Sequence, residues 1–476
     1  MVRQTALVCI LLGSLLALPV AVLPVATLRA ADEKPDVLSQ MELSQMIVKL
    51  IGENDNDFRA AGLDQIRTGA KGAAATKLFA AQLPKLDAAA QAALLVALAD
   101  RGDAAARPAV LELLAASPSE SLRAAALAAL GKLGEPADLP LLVKSLSAES
   151  GSERTAAKSS LSRIRGGTIS TTLAADINAA APPVKVALIE VLATRRARDV
   201  MPAYLAATVD DNAQVRSAAM AALGQIGRPE QIAAMIPGVL RAERGGERDA
   251  AERNVALVCS RIENEDVRGD AVIKALESVN TAQSDQLLSL AGRVGGKKLI
   301  HFVAEIATGK DASRRKLGID ALSKWPDAGV ADTLLEITTK ATDVAERSQA
   351  FQGYVKISAT RDSRSDKQRL DRMKQAMTIA KTLEEETLVL NRCRTAYDVE
   401  TLRFVLPYVD RPQFAQLACE TTVELAHHRE LRDPNKAEFD KALDKVIATA
   451  NDPVVVDRAN RYKRGETWTR PTKAAE

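Results

Sequence analysis

Histidine, cysteine and a regularly recurring cation are the residues of this chain whose types and spacing could do chemistry. Only three histidines occur, His301, His427 and His428, so a metal or acid–base constellation would draw on an unusually small set. His301 follows Leu299 and Ile300 in an amphipathic helical pattern and reads as a packed or surface side chain. In regular helix the adjacent His427 and His428 point roughly 100° apart, too far to share one ligand. A helix end beside Glu430 and Arg432 accounts for them. Cys259, Cys393 and Cys419 lie far apart within apolar helical patterns. Their spacing matches neither a metal site nor a disulfide framework, so buried free thiols are expected, with a Cys393–Cys419 bridge as the alternative. The chain holds no Gly-rich phosphate loop, no Gly-x-Ser-x-Gly elbow and no EF-hand loop. No residue is assigned a catalytic, cofactor-binding or metal-ligating role.

The recurring cation leads to the elements that position it. Leu122-Arg-Ala-Ala-Ala-Leu-Ala-Ala-Leu-Gly-Lys-Leu-Gly134 matches Val215-Arg-Ser-Ala-Ala-Met-Ala-Ala-Leu-Gly-Gln-Ile-Gly227, and Arg154-Thr-Ala-Ala-Lys-Ser-Ser-Leu-Ser-Arg-Ile164 lies between them. Arg123, Arg154, Lys185 and Arg216 therefore fall 31 residues apart. Steps of 32 lead back to Gln91 and Arg59, and Arg315 and Arg347 continue the register. Between Arg216 and Arg315 the register places Glu252 and Ser284 where the cation should be, which predicts a more compliant stretch from Glu252 to Val294. Leu127, Leu130 and Leu133, then Leu139, Leu142, Val143 and Leu146, have helical spacing, so two helices fit one period. Gly134 and Gly227 are placed to end the first helix of such a junction, and Pro136 and Pro229 to open the next. Asp211, Asp311 and Asp343 precede other helices, where a carboxylate accepts from free backbone N–H groups.

Composition agrees with closely packed helices: 47% hydrophobic but only 3% aromatic, so the core must be Ala, Leu, Val and Ile. Lys and Arg number 64 against 61 Asp and Glu. Arg3, an apolar run from Ala6 to Val25 broken by Gly13, Pro19 and Pro24, and the small residues Ala30 and Ala31 read as a secretory signal peptide over 1–31, with an uncleaved anchor as the alternative. Its removal takes Arg3 and Arg29 with it and leaves a formal charge of +1. That near-neutral body excludes the basic channel a nucleic-acid partner would need. No second apolar run of spanning length follows.

The pattern resembles HEAT repeats. Their signature stands almost complete as Asp210-Asp-Asn-Ala-Gln-Val-Arg-Ser-Ala-Ala-Met-Ala-Ala-Leu-Gly224. The resemblance implies an all-α, right-handed α-solenoid of roughly twelve antiparallel helix pairs, in repeats of about 31–33 residues from Met41 to about Tyr462. It also implies that the recurring Arg opens the second helix and ties neighbouring repeats through Asp side chains and loop carbonyls. The later half, with Leu287-Leu-Ser-Leu-Ala-Gly-Arg-Val-Gly-Gly296 and Phe351-Gln-Gly-Tyr-Val-Lys-Ile357, is similar to degenerate helical arrays of large exported bacterial proteins. Such arrays often carry sugar-acting or haem-bearing modules, but this chain has no Cys-x-x-Cys-His and no β-rich module. HEAT-like metal hydroxylases use His-Glu pairs, and none is present. Helical bilin lyases share the repeat, but a shared repeat does not carry over their activity.

The expected organisation is a signal peptide (1–31), a short linker (32–40), the solenoid (41–462) and a loosely ordered tail (463–476). In that tail Trp468 either folds back as a cap or meets a partner. Arg361-Asp-Ser-Arg-Ser-Asp-Lys-Gln-Arg369 reads as a solvated loop. The expected function is a non-catalytic exported scaffold, periplasmic or extracellular, that binds a protein without cofactor and keeps no integral membrane span. The alternative is an accessory or enzyme acting on envelope polysaccharide, which aromatics repeated on successive second helices would favour. The strongest repeats, Leu122 to Gly227, are expected to be the stiffest.

Overall fold

The computed structural model describes residues 37–53 and 55–469. The signal-peptide reading of 1–31 and the start of the linker lie outside the described residues. Helices run from Val37 to Lys463 with no strand among the described residues, and pair into thirteen antiparallel units. None of these helices is long and apolar enough to cross a membrane.

The second helices are Asn56–Thr68, Ala88–Arg101, Glu120–Leu133, Gly151–Arg163, Pro182–Thr194, Ala213–Ile226, Gly246–Cys259, Thr281–Val294, Ala312–Leu322, Val344–Ser358, Leu383–Cys393, Ala415–His427 and Pro453–Lys463. Local chemistry starts many of them. Asp87, Ser119, Asn212, Asn280, Asp311 and Asp343 each accept from a backbone N–H of the first turn. Asp311 and Asp343 are the caps expected. Asp211 is not, because Asn212 takes that place and leaves Asp211 to pair with Arg241 at 3.0 Å on the exposed surface.

No unit hides its apolar face alone. Stacking joins them into one core that runs from Ile47 to Tyr462. Every second helix touches the second helix of the next unit, whereas the first helices meet their counterparts only at intervals. In a curved stack the layer with unbroken contact lies on the shorter, inner arc, so the second helices form the inner surface.

The Leu-Gly-x-x-Gly ending serves that closeness. A Cβ on Gly131 would lie 2.9 Å from Ser160 Oγ, and one on Gly224 would run into Asn254 of the next second helix. Gly134 and Gly227 end their helices as expected, but with φ of −72° and −63°. The demand there is room rather than a left-handed turn, because a Cβ would press on the carbonyls of Leu130 and Leu223.

Candidate binding surface

The recurring cation is architectural. Arg216 donates through Nη1 to the carbonyls of Asp210 and Asp211 at 3.0 and 2.9 Å, closing the loop between the helices of its own unit. Its other edge makes a bidentate pair with Glu247 at 2.8 and 3.0 Å, at the start of the next second helix. Arg123 does the same with Ser117, Pro118 and Glu153, and Arg315 with Gly309, Lys310 and Glu346. Arg347 reaches Glu385 at 2.5 Å with both side chains buried. Arg154 closes its loop through Ala148 and Glu149 without an acid, and Lys185 pairs with Asp210.

Loop carbonyls accept as expected, but the acids are mostly glutamates rather than aspartates, in the first turn of the next second helix, where the helix dipole also favours them. Burial of Glu247 raises its pKa, but the Arg216 hydrogen bonds outweigh that and hold the carboxyl below its ordinary range.

The register in the middle of the chain is corrected. Arg248, and not Glu252, occupies the cation's place in the seventh unit, donating to the Ala242 carbonyl six residues earlier as its counterparts do. Ser284 does replace the cation in the eighth unit, where it is buried. The stretch from Glu252 to Val294 is nevertheless cross-tied. Arg293 binds Glu252 at 2.8 Å and Asp249 at 2.9 Å, which removes the reason for expecting compliance there.

Sequence reasoning missed a second set of arginines. Arg101 donates to the carbonyls of Ile66 and Gly69 at 2.8 and 2.9 Å, and Arg195 to those of Leu161 and Ile164 at 2.9 Å each. Arg261 does the same to Gly224, Gln225 and Gly227. Each satisfies the orphan carbonyls at the end of the preceding second helix. The available signal was a basic residue in or just past the last helical turn.

On the inner face at units seven to nine, a cleft of about 470 Å³ is lined by Arg244, Arg248, Asp249, Glu252, Asp285, Ser289 and Lys324, among others. Ser289 Oγ donates to Glu252 at 2.6 Å and accepts from Lys324 Nζ at 2.7 Å. Lys324 also donates to Asp320 at 2.7 Å, and Glu252 is engaged by Arg293. Neither neighbour is free to take the serine proton, so the hydroxyl is a bridge between units and not an activated nucleophile.

The remaining singled-out residues are structural. His301 is exposed. His427 ends its helix and shares a 2.9 Å hydrogen bond with the Tyr462 hydroxyl, and His428 stacks on Tyr397 with ring centres 3.8 Å apart. Burial, then the neighbouring His427, pushes His428 below its ordinary value. The three cysteines are buried and unbridged, with burial pushing Cys259 and Cys393 up to about 12 and Cys419 up to about 11. Among the described residues no three His, Cys, Asp or Glu converge as a metal site.

The stretch expected as a loop over 361–369 is loop only to Ser365, which caps a helix starting at Asp366, and that loop is built rather than merely solvated. Arg364 pairs with Asp362 at 2.8 Å and reaches the Thr360 carbonyl, Asp362 accepts from Ala328 of the preceding unit, and Arg361 lies 4.4 Å over Tyr397. Trp468 folds back against the core beneath Arg458, so it caps the stack.

Comparison with a known repeat family agrees with this architecture. The family model for HEAT repeats matches residues 76–162 and 170–256. No curated protein matches the chain. Among solved structures, the karyopherin Kap121p is 12% identical with a TM-score of 0.46, covering 88% of this chain and 54% of its own. Yeast importin-beta (Kap95p) is 14% identical with a TM-score of 0.40, over 88% and 62%. A homology model of the full-length AP-3 complex is 11% identical with a TM-score of 0.39, over 90% and 93%. The chain thus spans about half the length of Kap121p.

Proposed function

We propose that this array of HEAT repeats is a non-catalytic scaffold that binds a protein partner on the inner face of its second helices, and that it does so after export, outside the inner membrane. The observation that carries the reading is the unbroken inner layer itself. Second helix touches second helix from the first unit to the last, while the cations with the most suggestive spacing are consumed in holding units together. What remains for recognition is a long surface whose curvature accumulates unit by unit. Export rests on the residue pattern of 1–31.

The test is to capture a partner from envelope extract with residues 32–476, then insert one extra helix pair at Gly227. Local surfaces stay intact while the two halves are displaced. Affinity should fall at unchanged helicity and melting midpoint. Full affinity would mean a compact local site instead. N-terminal sequencing of exported material should begin near Asp32, and an intact Met1 in a membrane fraction would mean an anchor.

A further inference from the structure

We propose that the inner face of units eight to eleven docks an acidic segment of the partner, laid across the cation row Arg293, Lys324, Lys356 and Arg392 in an extended polyproline-type conformation with a carboxylate at every third residue. This rests on the scaffold reading above and names the chemistry of its partner.

The four cations sit at or beside the C-terminal ends of four consecutive second helices, those of units eight to eleven. Two are neutralised within the protein: Arg293 by Asp249 and Glu252, and Lys324 by Asp320. Lys356 and Arg392 are exposed and make no ion pair among the described residues. Partial burial of the base of its side chain is the first cause holding the Lys356 ammonium below the ordinary lysine value. Asp320 offsets part of this, while Lys324, Arg293 and Arg392 add repulsion. Lys356 and Arg392 are thus left as neighbouring like charges without an acid of their own, and a docked anion relieves their repulsion. The cleft at the Lys324 end of the row mixes Arg244 and Arg248 with Asp249, Glu252, Asp285 and Asp320, so the unanswered charge lies at the Lys356 and Arg392 end.

Spacing selects the shape of the ligand. Packed helices stand about 8–10 Å apart. A polyproline-type segment advances about 9.3 Å per three-residue turn, at roughly 3.1 Å per residue, and returns the same face each turn. One carboxylate per turn therefore meets one helix after another. A β-strand repeats its face about every 6.6 Å and falls out of step. A nucleic-acid strand carries charge at every residue, and Asp249, Glu252, Asp285 and Asp320 on this same face repel a uniformly anionic backbone. A peptide can place neutral residues opposite those acids.

The experiment titrates the protein with a fluorescent peptide of repeating Glu-Pro-Pro. Binding should be saturable and weaken as salt is raised from 50 to 200 mM. The double variant Lys356→Gln/Arg392→Gln should weaken it about ten-fold, the scale of two exposed ion pairs. Lys132→Gln, a cation of the same register already paired with Asp100, should leave affinity unchanged. A peptide of equal composition with its glutamates clustered should bind several-fold less well.

The proposal is overturned by absence of binding, by equal affinity of the double variant at an unchanged melting midpoint, by equal affinity of the clustered peptide, or by tighter binding of a single-stranded DNA of equal charge. The broader reading fails separately. The helix-pair insertion at Gly227 leaves the row intact, so it should spare the peptide and weaken only the whole partner. A partner whose capture ignores the double variant would sink the cation row and leave the scaffold standing.

Discussion

Between Phe79 and Phe302 the only aromatic residue is Tyr204, whereas seven stand from Tyr397 to Trp468 inclusive. Units three to six and units ten to thirteen nevertheless build the same helix-on-helix stack. In the earlier region small residues let backbones approach, with Gly131 against Ser160 and Gly224 against Asn254. In the later one Tyr354, Phe351, Phe414, Phe439 and Tyr462 fill the space between helices, and Arg361, Tyr397 and His428 stack along one edge. A guanidinium that reaches the next unit is present in both: Arg216 also closes its own loop, whereas Arg347 gives its second contact to the Ile379 carbonyl of the following unit. Packing material is exchangeable where volume is conserved. The orphaned loop carbonyls and the buried acid are not, so the cation persists where the surrounding motif has dissolved.

That comparison is tested most strongly by removing the cation from each region. Arg347→Ala leaves the buried Glu385 without its partner and should cost about 3–5 kcal/mol, and Arg216→Ala leaves the partly buried Glu247 and should cost about 1–3 kcal/mol. Arg154→Ala, which strands no acid, should cost under about 1 kcal/mol. Thermal and denaturant unfolding read these values. A smaller loss for Arg347→Ala than for Arg216→Ala would show that the aromatic core has taken over the ladder's work.

Two buried tyrosines, one from each region, give a smaller contrast of opposite sign. Tyr354 donates its hydroxyl to Gln375 at 2.8 Å, so Tyr354→Phe should lower stability by about 1 kcal/mol. The Tyr204 hydroxyl is buried without a partner, and Tyr204→Phe should raise stability by about the same amount. A loss at Tyr204 would mean that the earlier region is less dry than its packing indicates.

The smallest effect separates the regions by pH. His428 is depressed when folded, so the unfolded chain binds its proton first, and the stability this contributes is lost as pH falls below the ordinary histidine value of about 6.5. Glu247 is also depressed, and its contribution is present above the ordinary carboxylate range and lost only as pH falls through it. Amide protection factors, referred to the intrinsic exchange rate at each pH, should therefore fall in 397–468 between pH 7.5 and 5.5 while those in 120–226 hold. An equal fall in both would place the pH response elsewhere.

The helix pairs, the N-caps Asp311 and Asp343, the buried thiols and the cation at Arg123, Arg154, Lys185, Arg216, Arg315 and Arg347 were legible without coordinates. Each depends on residues within about one turn or on a period of 31 or 32. Backbone hydrogen bonding and apolar spacing are local, and a local cause leaves a local pattern. Tertiary structure alone decided which acid answers each cation, that Arg248 and not Glu252 holds the seventh position, that Arg101, Arg195 and Arg261 cap the preceding unit, and that Lys356 and Arg392 stand unanswered. Those partners lie 25 to 38 residues away. Between them run loops and broken first helices of varying length, such as Glu265–Arg268 and Asp270–Ser278, which shift the spacing by several residues. A charge seeks the nearest opposite charge in space, and in a stacked array that distance is set by how one unit settles on the next.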